Sequence, residues 1–253
     1  MAWVDYDRLA AVYDRDRAVP LEALEPWRRA LGAYLPPASG LPVLDLGAGT
    51  GLFSVAIARW FGAAVVAVEP SEGMRRQART RRADPRVAYL GGLGERLPLR
   101  DGCCDSAWLS TVIHHLSDLA ACAGGLRRVL RPGGWVLVRQ AFPDRPEPST
   151  RLFTYWPAAR AILSRAPTVK ATVATFAAAG FTFHRLEQVP DQSAASLKES
   201  YERARVRADS LLRLLPDADF LAGLQALGRA AAAETTPTPV LRRLDLLVLR
   251  APR

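Results

Sequence analysis

Apolar and polar positions change their period several times along this chain, and each change marks an element. Over residues 4–17, Tyr6, Leu9, Ala10, Tyr13 and Arg17 recur on one helical face, and over 21–35 Leu21, Leu24, Leu31 and Leu35 do the same, which predicts two helices ahead of the core. Pro36-Pro37-Ala38-Ser39-Gly40 breaks that pattern. Short apolar runs then alternate with helix-period segments. The reading is a strand ending at Leu46, a helix from Leu52 to Phe61, a strand ending at Val68, a helix from Ser71 and a strand from Val87 to Leu90. A strand from Asp105 to Ser110, a helix from Leu119 to Leu130 and a strand from Trp135 to Ala141 follow, with Arg131-Pro132-Gly133-Gly134 as the turn between the last two. Such alternation builds an α/β protein around a parallel sheet.

Further on, a helix from Val169 to Ala179 ends at Gly180, Phe181 to Val189 alternates as a sixth strand, and Val240 to Leu249 reads as the last strand. Between the last two strands, Leu197, Tyr201, Ala204, Ala208, Leu211 and Leu215 form a stripe at spacings of three and four. Phe220, Leu224, Leu227 and Ala231 continue it after Pro216. Stripes of this kind are usually packing surfaces, so the segment reads as a helical cap on the core that can also wall a cavity.

Composition changes this picture little. At 253 residues the chain is long enough for a full core. Its net charge of +9 invites a nucleic-acid reading, yet Lys170 and Lys198 are the only lysines, and the arginines are scattered over many helices without interleaved aromatics. That bias fits GC-rich codons and argues against a nucleic-acid partner. Cys103, Cys104 and Cys122 have no metal-type spacing and cannot all pair, which suits a reducing cytoplasm. No run approaches the roughly 20 apolar residues of a membrane span, so a cytoplasmic monomer or homodimer without a membrane partner is expected.

The chemistry is concentrated where the first strand ends. Val43-Leu44-Asp45-Leu46-Gly47-Ala48-Gly49-Thr50-Gly51 breaks an apolar strand into alternating glycines, and Ala63 to Val68 is a second apolar run ending in Glu69. Glycines let backbone approach a ligand without a Cβ in the way. A dinucleotide fingerprint needs a small third residue where Leu52 stands, whereas D-x-G-x-G-x-G puts Asp45 where it suits an ammonium and not a pyrophosphate. With Glu69, this string resembles the nucleotide site of class I S-adenosylmethionine-dependent methyltransferases. Leu130-Arg131-Pro132-Gly133-Gly134 is also frequent in that family, and the likeness covers about residues 6–190.

The resemblance implies a doubly wound, Rossmann-like sheet of seven strands with the last antiparallel, in a single domain over 1–253. An N-terminal helical lid would occupy 1–36, the core 41–192 and 238–253, and the cap 193–237. It implies S-adenosylmethionine as cofactor and S-adenosylhomocysteine as product. Gly47, Ala48 and Gly49 would pass under the methionine part, and Glu69, an acceptor-only carboxylate, would take both ribose hydroxyls. Pro70, Ser71 and Met74 would flank the adenine, although Ser71 also reads as a helix N-cap and Met74 as core. Gly92-Leu93-Gly94-Glu95-Arg96-Leu97-Pro98 looks like the family's G-D-A-E-x-L-P adenine loop. Leu93 replaces its acid, leaving backbone amides at Gly94 or Glu95 to read the adenine edge. Tyr13 would meet the sulfonium and Arg17 the methionine carboxylate. Independently, ligands of an open parallel sheet bind outside the carboxyl ends of its strands, which selects Asp45 to Gly51, Glu69 to Ser71, Gly92 to Glu95, Ser110 to His115 and Gln140 to Phe142 as the loops around one cleft.

Methyl transfer is an in-line displacement, so an enzyme chiefly holds nucleophile and methyl in reach. His114 is the favoured general base, with His115 as the alternative or as a loop anchor. Some quinone-forming relatives carry E-x-x-E-H and a divalent metal, but Thr111-Val112-Ile113-His114-His115 has no carboxylate, so no metal is expected. His184 reads as an outward strand residue. Phe142, Phe153, Tyr155, Trp156 and Tyr201 suit an apolar or aromatic small-molecule acceptor, and secondary metabolism is the expected setting. Two rivals remain: an RNA or protein methyltransferase, although no N-P-P-Y or D-P-P-Y tetrapeptide stands at Ser110-Thr111-Val112-Ile113, and a cofactor-binding cyclase or ligand-binding protein that transfers no methyl group.

Overall fold

The computed structural model describes residues 6, 7, 9, 10, 13, 19–35, 40–145 and 150–253. In chain order they form α1 (Glu25–Gly32), β1 (Val43–Leu46), α2 (Leu52–Phe61), β2 (Val65–Val68), α3 (Glu72–Arg81), β3 (Val87–Leu90), β4 (Cys104–Ser110), α4 (Leu119–Val129) and β5 (Leu130–Gln140). Then come α5 (Thr150–Tyr155), α6 (Ala159–Leu163), α7 (Val169–Ala178), β6 (Thr182–Ala194), α8 (Leu197–Arg205), α9 (Ser210–Arg213), α10 (Asp217–Ala233) and β7 (Val240–Arg250).

The strands form one sheet in the order β3-β2-β1-β4-β5-β7-β6. β1 pairs in parallel with β2 on one side and β4 on the other, so strand order reverses beside it, while β7 runs antiparallel between β5 and β6. Alternate side chains feed opposite faces, as a pleated strand requires. Val43, Trp108 and Leu137 pack with Trp27 and Leu31 of α1 and Phe53 and Ile57 of α2. Their strand neighbours Leu44, Leu109 and Val138 pack with Ala123 and Leu126 of α4 and Phe176 of α7. Both faces are thus covered, the condition under which parallel strands can be apolar throughout.

Four segments differ from the sequence reading, each for a local reason. Residues 21–35 divide into a 3-10 turn, Leu21–Leu24, and α1, because Pro26 occupies the first turn of the α-helix, where its missing N–H costs nothing. The Arg131–Gly134 turn lies inside β5 as an irregularity: Leu130 pairs with Cys104, Trp135 with Ser106, and Gly134 runs so close to β4 that a Cβ would sit 2.5 Å from the Asp105 carbonyl oxygen. β6 continues past Val189 because its pairing with β7 extends from Thr182 to Ala194. The stripe beginning at Leu197 breaks after α8, where Arg207 has φ +51° and its guanidinium donates to the carbonyls of Leu212 and Leu215 and to Asp217. Asp209 then caps α9 by accepting from the Leu211 amide.

The helical layer over β5 to β7 comes from two stretches of chain. Phe153 and Trp156 of α5 and its flank, with Ala159 and Leu163 of α6, pack against Ala204, Leu212, Leu215, Phe220 and Leu227. Trp156 Nε1 donates to the Phe220 carbonyl at 3.0 Å, and a Cβ on Gly223 would meet that same nitrogen at 2.2 Å, so α10 seats directly on the indole. His184 is exposed on β6 and lies against the rings of Tyr34 and Trp135. Among the described residues no helix is long and apolar enough to cross a membrane.

Phe176 is fully buried on α7, with its ring 5.4 Å from that of Phe181 at the start of the sixth strand's approach. Phe176→Ala is expected to lower the urea-unfolding free energy by about 3–5 kcal/mol, because the cavity it leaves is walled by elements from both sheet halves and cannot collapse freely. A loss below about 1 kcal/mol would show that α7 is not tied to the central core.

Candidate active site

The turn after β1 is built by backbone hydrogen bonds to its neighbour. The amides of Gly47 and Ala48 both donate to the Val68 carbonyl at the end of β2, at 2.8 and 3.3 Å. Gly47, at φ +70°, admits no side chain there, because a Cβ would lie 2.4 Å from Val112 Cγ2. Gly51, at φ +80°, precedes α2 and would meet Tyr89 Oη at 2.2 Å.

Glu69 closes the turn from the other side. Its Oε2 accepts from the Gly49 amide at 2.9 Å and its Oε1 from the Ser71 amide at 3.0 Å. Each carboxylate oxygen has a further lone pair, so these two bonds orient Glu69 without exhausting it. Burial pushes its pKa up, against the pull of the two amides. Asp45, on β1, accepts from Ser54 Oγ at 2.6 Å and is buried; desolvation raises its pKa to about 7, with the Glu69 charge adding to the rise.

A cavity of about 210 Å³ opens at the carboxyl ends of β1, β4 and β5. Tyr13, Asp45, Gly47, Ala48, Gly49 and Ser110 line it, so six of the residues assigned to the cofactor from sequence meet there. Arg17 lies outside the described residues. Glu69 sits behind Gly49. Pro70 is exposed, with its carbonyl accepting from Arg75 at 2.8 Å, and Met74 is buried against Leu9 and Ala10. Ser71 caps α3, and Asp7 in turn accepts from Ser71 Oγ and the Gly73 amide, both at 2.7 Å. The hydrogen bond from the Gly73 amide, then that from Ser71, holds the Asp7 carboxyl below its ordinary range. These contacts dock the helical residues near the amino terminus onto α3.

Gly94 is buried so tightly that a Cβ would lie 2.7 Å from Leu116 Cδ2, while Leu93 is 45% exposed and contributes no wall. Glu95 accepts from the Ser117 amide and hydroxyl at 2.7 and 2.8 Å; burial raises its pKa, but hydrogen bonding outweighs that and leaves it low. Its carboxylate thereby fastens the 92–98 loop to the one after β4. His114 lies 3.2–3.3 Å from the Gln140 amide group, and His115 Nε2 is 2.9 Å from Tyr6 Oη. The two imidazoles are 4.0 Å apart, and neither belongs to the cavity lining. Of the aromatics read as lining an acceptor site, Trp156 does so, whereas Phe142 is buried in the central core and Phe153, Tyr155 and Tyr201 pack within the cap.

Thr111, within the Ser110–His115 stretch expected to border the cleft, lines the cavity; it follows β4 with φ +52°, a costly conformation for a β-branched residue, and its amide donates to the Arg139 carbonyl at 2.7 Å. Three lining arginines escaped the sequence reading. Arg139 ends an apolar run on β5, is 5% exposed, and lies over the rings of Trp27 and Phe53 at 5.0 and 5.2 Å. Its Nη1 donates to Ser110 Oγ at 3.2 Å. A cation closing the apolar run Trp135-Val136-Leu137-Val138 was the available signal. Arg203 on α8 and Arg242 on β7 also line the cavity, and nothing in their sequence neighbourhoods sets them apart.

Residues 44–138 match the methyltransferase domain family. The chain is 38% identical over 152 residues to a demethylmenaquinone methyltransferase of Parafrankia sp., a stretch covering 53% of this chain and 59% of that protein. A demethylmenaquinone methyltransferase of Streptomyces griseus is 31% identical over 166 residues, covering 63% of this chain and 71% of that protein. The chain belongs to the class I S-adenosylmethionine-dependent methyltransferases. The cofactor of this family is S-adenosylmethionine. Several curated relatives are matched over only about half to 60% of their length. In fold, the chain is similar to a Haemonchus contortus phosphoethanolamine N-methyltransferase 2 solved with phosphomonomethylethanolamine and S-adenosylhomocysteine. That likeness has a TM-score of 0.60 and 17% identity, covering 98% of this chain and 58% of that one. The methyltransferase match encloses Asp45, the glycine turn, Glu69 and both histidines after β4, and leaves out Tyr13, Arg139, Arg203 and Arg242.

Asp45 gives a test that needs no ligand. A carboxyl whose pKa is raised on folding contributes stability that is complete below its unfolded value and is lost as the pH climbs through the folded one. Between about pH 5 and 7 the wild type should therefore lose more than about 1 kcal/mol per pH unit relative to Asp45→Asn, whose amide mimics the neutral acid, and the difference should level off above about 7. Urea titrations at stepped pH check this; a constant difference would mean that Asp45 is ionised throughout.

Proposed function

We propose that this chain transfers a methyl group from S-adenosylmethionine to a small-molecule acceptor, in secondary metabolism and in the cytoplasm, as a monomer or homodimer. The observation that carries the reading is Glu69, buried at the end of β2 and oriented by the Gly49 and Ser71 amides beside a cavity at the point where strand order reverses. The demethylmenaquinone methyltransferases among its relatives are named for a small-molecule acceptor, which supports the same class here.

The residues present fit the cofactor. Glu69 keeps acceptor capacity on both oxygens for a ribose diol, and the Gly47-Ala48-Gly49 backbone forms a cradle that a side chain at Gly49 would enter. Asp45 supplies a carboxylate for the ammonium, and Tyr13 a ring face for the sulfonium. Pro70 and Met74 would bound the adenine, backbone amides at Gly94 and Glu95 would read its edge, Ser110 would border the methyl group, and Arg17 would take the methionine carboxylate. The cofactor supplies a methyl carbon activated by its bond to positive sulfur. The chain's share is to hold the acceptor in line, to exclude water beneath the helical cap, and to take a proton where the acceptor is a hydroxyl or an amine. His114 is the proposed base, with the Gln140 side chain fixing its ring; His115, beside the Tyr6 hydroxyl, is the alternative.

Three measurements test this. Label from methyl-labelled S-adenosylmethionine, incubated with an extract of the source organism, is expected in the small-organic fraction. Label confined to RNA or protein would transfer the reading to those acceptors, and no transfer alongside measurable cofactor binding would favour a cyclase or ligand-binding protein. Glu69→Ala should weaken S-adenosylhomocysteine binding roughly tenfold or more in calorimetric titration; unaltered affinity would remove Glu69 from the ribose site. His114→Ala should slow turnover of the labelled acceptor by about a hundredfold or more while cofactor affinity stays near wild type, and a full rate would remove it as base.

A further inference from the structure

Ser54 is out of place in its helix, and its hydrogen-bond partner accounts for it. Phe53, Val55, Ala56, Ile57 and Ala58, the other buried residues of α2, are all apolar, and Ser54 is itself 0% exposed. A buried hydroxyl is costly without a partner. The usual local partner of a helical serine is the carbonyl four residues back, here that of Thr50, which accepts from Arg82 Nη1 at 3.0 Å. The Ser54 hydroxyl instead reaches across to β1 and donates to Asp45 Oδ2 at 2.6 Å.

That bond acts on a carboxylate at the cavity wall. Asp45 lines the cavity and Ser54 is not among the lining residues, so any effect of the serine on a ligand passes through Asp45. The bond engages Oδ2 and leaves the carboxylate further lone pairs for a cation. It also favours the charged form. Burial pushes the Asp45 pKa up to about 7, the Glu69 charge from the end of β2 adds to the rise, and the Ser54 hydroxyl pulls the other way. From β3, Tyr89 stays a neutral phenol, because burial and then the Asp45 charge push its pKa up to about 12. Arg139 of β5, Arg203 of α8, Asp209 ahead of α9 and Arg242 of β7 share the cavity with Asp45.

We propose that Ser54 is a positioning residue for the cofactor: its hydroxyl holds the Asp45 carboxylate at the cavity wall in the charged form that pairs with the ammonium of S-adenosylmethionine. This rests on the reading of the cavity as an S-adenosylmethionine site with Asp45 at the ammonium. The test compares two probes in calorimetric titrations from about pH 6 to 8.5. One is S-adenosylhomocysteine; the other is 5′-methylthioadenosine, which keeps adenine, ribose and sulfur but lacks the amino-acid end. The Asp45 titration midpoint is read separately, without ligand, by carbon NMR of aspartate-labelled protein, its signal assigned by its loss in Asp45→Asn. In Ser54→Ala that midpoint should rise from about 7 by about 1 pH unit or more, because a hydrogen bond to the charged form is gone. At pH 7 only about one Asp45 in ten would then be charged, so S-adenosylhomocysteine affinity should fall roughly fivefold while that for 5′-methylthioadenosine stays within about twofold. In the Asp45→Asn background the same serine substitution should change S-adenosylhomocysteine affinity by less than about twofold.

An unchanged Asp45 midpoint in Ser54→Ala, or an equal loss of affinity for both probes, would overturn the proposal. So would a loss in the Asp45→Asn background as large as in wild type, since the serine would then act on the cofactor site through packing and not through the carboxylate. Failure of wild type to bind S-adenosylhomocysteine at all would overturn the methyltransferase reading instead, and the Asp45 midpoint measured without ligand would still decide whether the Ser54 hydroxyl sets that charge.

Discussion

The carboxylate of Glu69 is the constraint on which this architecture turns. It stands at the end of β2 and accepts from the Gly49 amide in the turn after β1 and from the Ser71 amide just ahead of α3. One side chain thus joins three segments that diverge at the carboxyl edge of the sheet. Hydrogen bonds to an ionised acceptor are the stronger kind, and burial strengthens them further by removing competing water. The same burial raises the pKa of the group, against the pull of the two amides. Its partners are backbone amides, which cannot move away without unwinding the turn itself.

Asp45 extends this arrangement one strand further. Burial, with the Glu69 charge adding to it and the Ser54 hydroxyl opposing it, pushes its pKa up to about 7, where a small change in surroundings decides its charge. Two acids that repel each other beside a cavity are poorly placed for folding and well placed for a cation. On the far side of the strand order the sign reverses, with Arg139 buried over aromatic rings. Arg139 of β5 and Arg242 of β7 thus line the same cavity as Asp45, with β4 standing between β1 and β5 in the sheet.

What was legible in the sequence was what is local. The glycine turn, the Glu69 strand end and the Ser71 cap each depend on a few neighbouring residues, so their signatures survive in one dimension, and the alternation from β1 to β5 follows from helices covering both faces. The strand order with an antiparallel β7 came from family resemblance, because pairing across the sheet leaves no local mark. Arg242 shows why much of the cavity was missed: it reaches the site through the long register of β6 with β7, and its surroundings in sequence, Leu241 and Arg243, look like any strand. The break at Arg207 was hidden for another reason. The apolar stripe continues through it, and only the guanidinium's grip on the Leu212 and Leu215 carbonyls turns the backbone.

The boundaries of the family match carry a physical argument of their own. Residues 44–138 contain the turn, Glu69 and the strands that frame one half of the cavity, and they stop one residue before Arg139. The roof of the other half is contributed by α5 and α6 on one side and α8 to α10 on the other, joined through a single apolar cluster centred on Trp156 and Phe220. Because that cluster packs on itself, its residues can be exchanged without disturbing the amides that hold Glu69. Arg139 is the exception, since its cage is made by Trp27 and Phe53 from the helices beneath the sheet's central strands. A change there would reach α1 and α2 as well as the cavity, so at the buried guanidinium the cavity wall and the packing of the core are not independent.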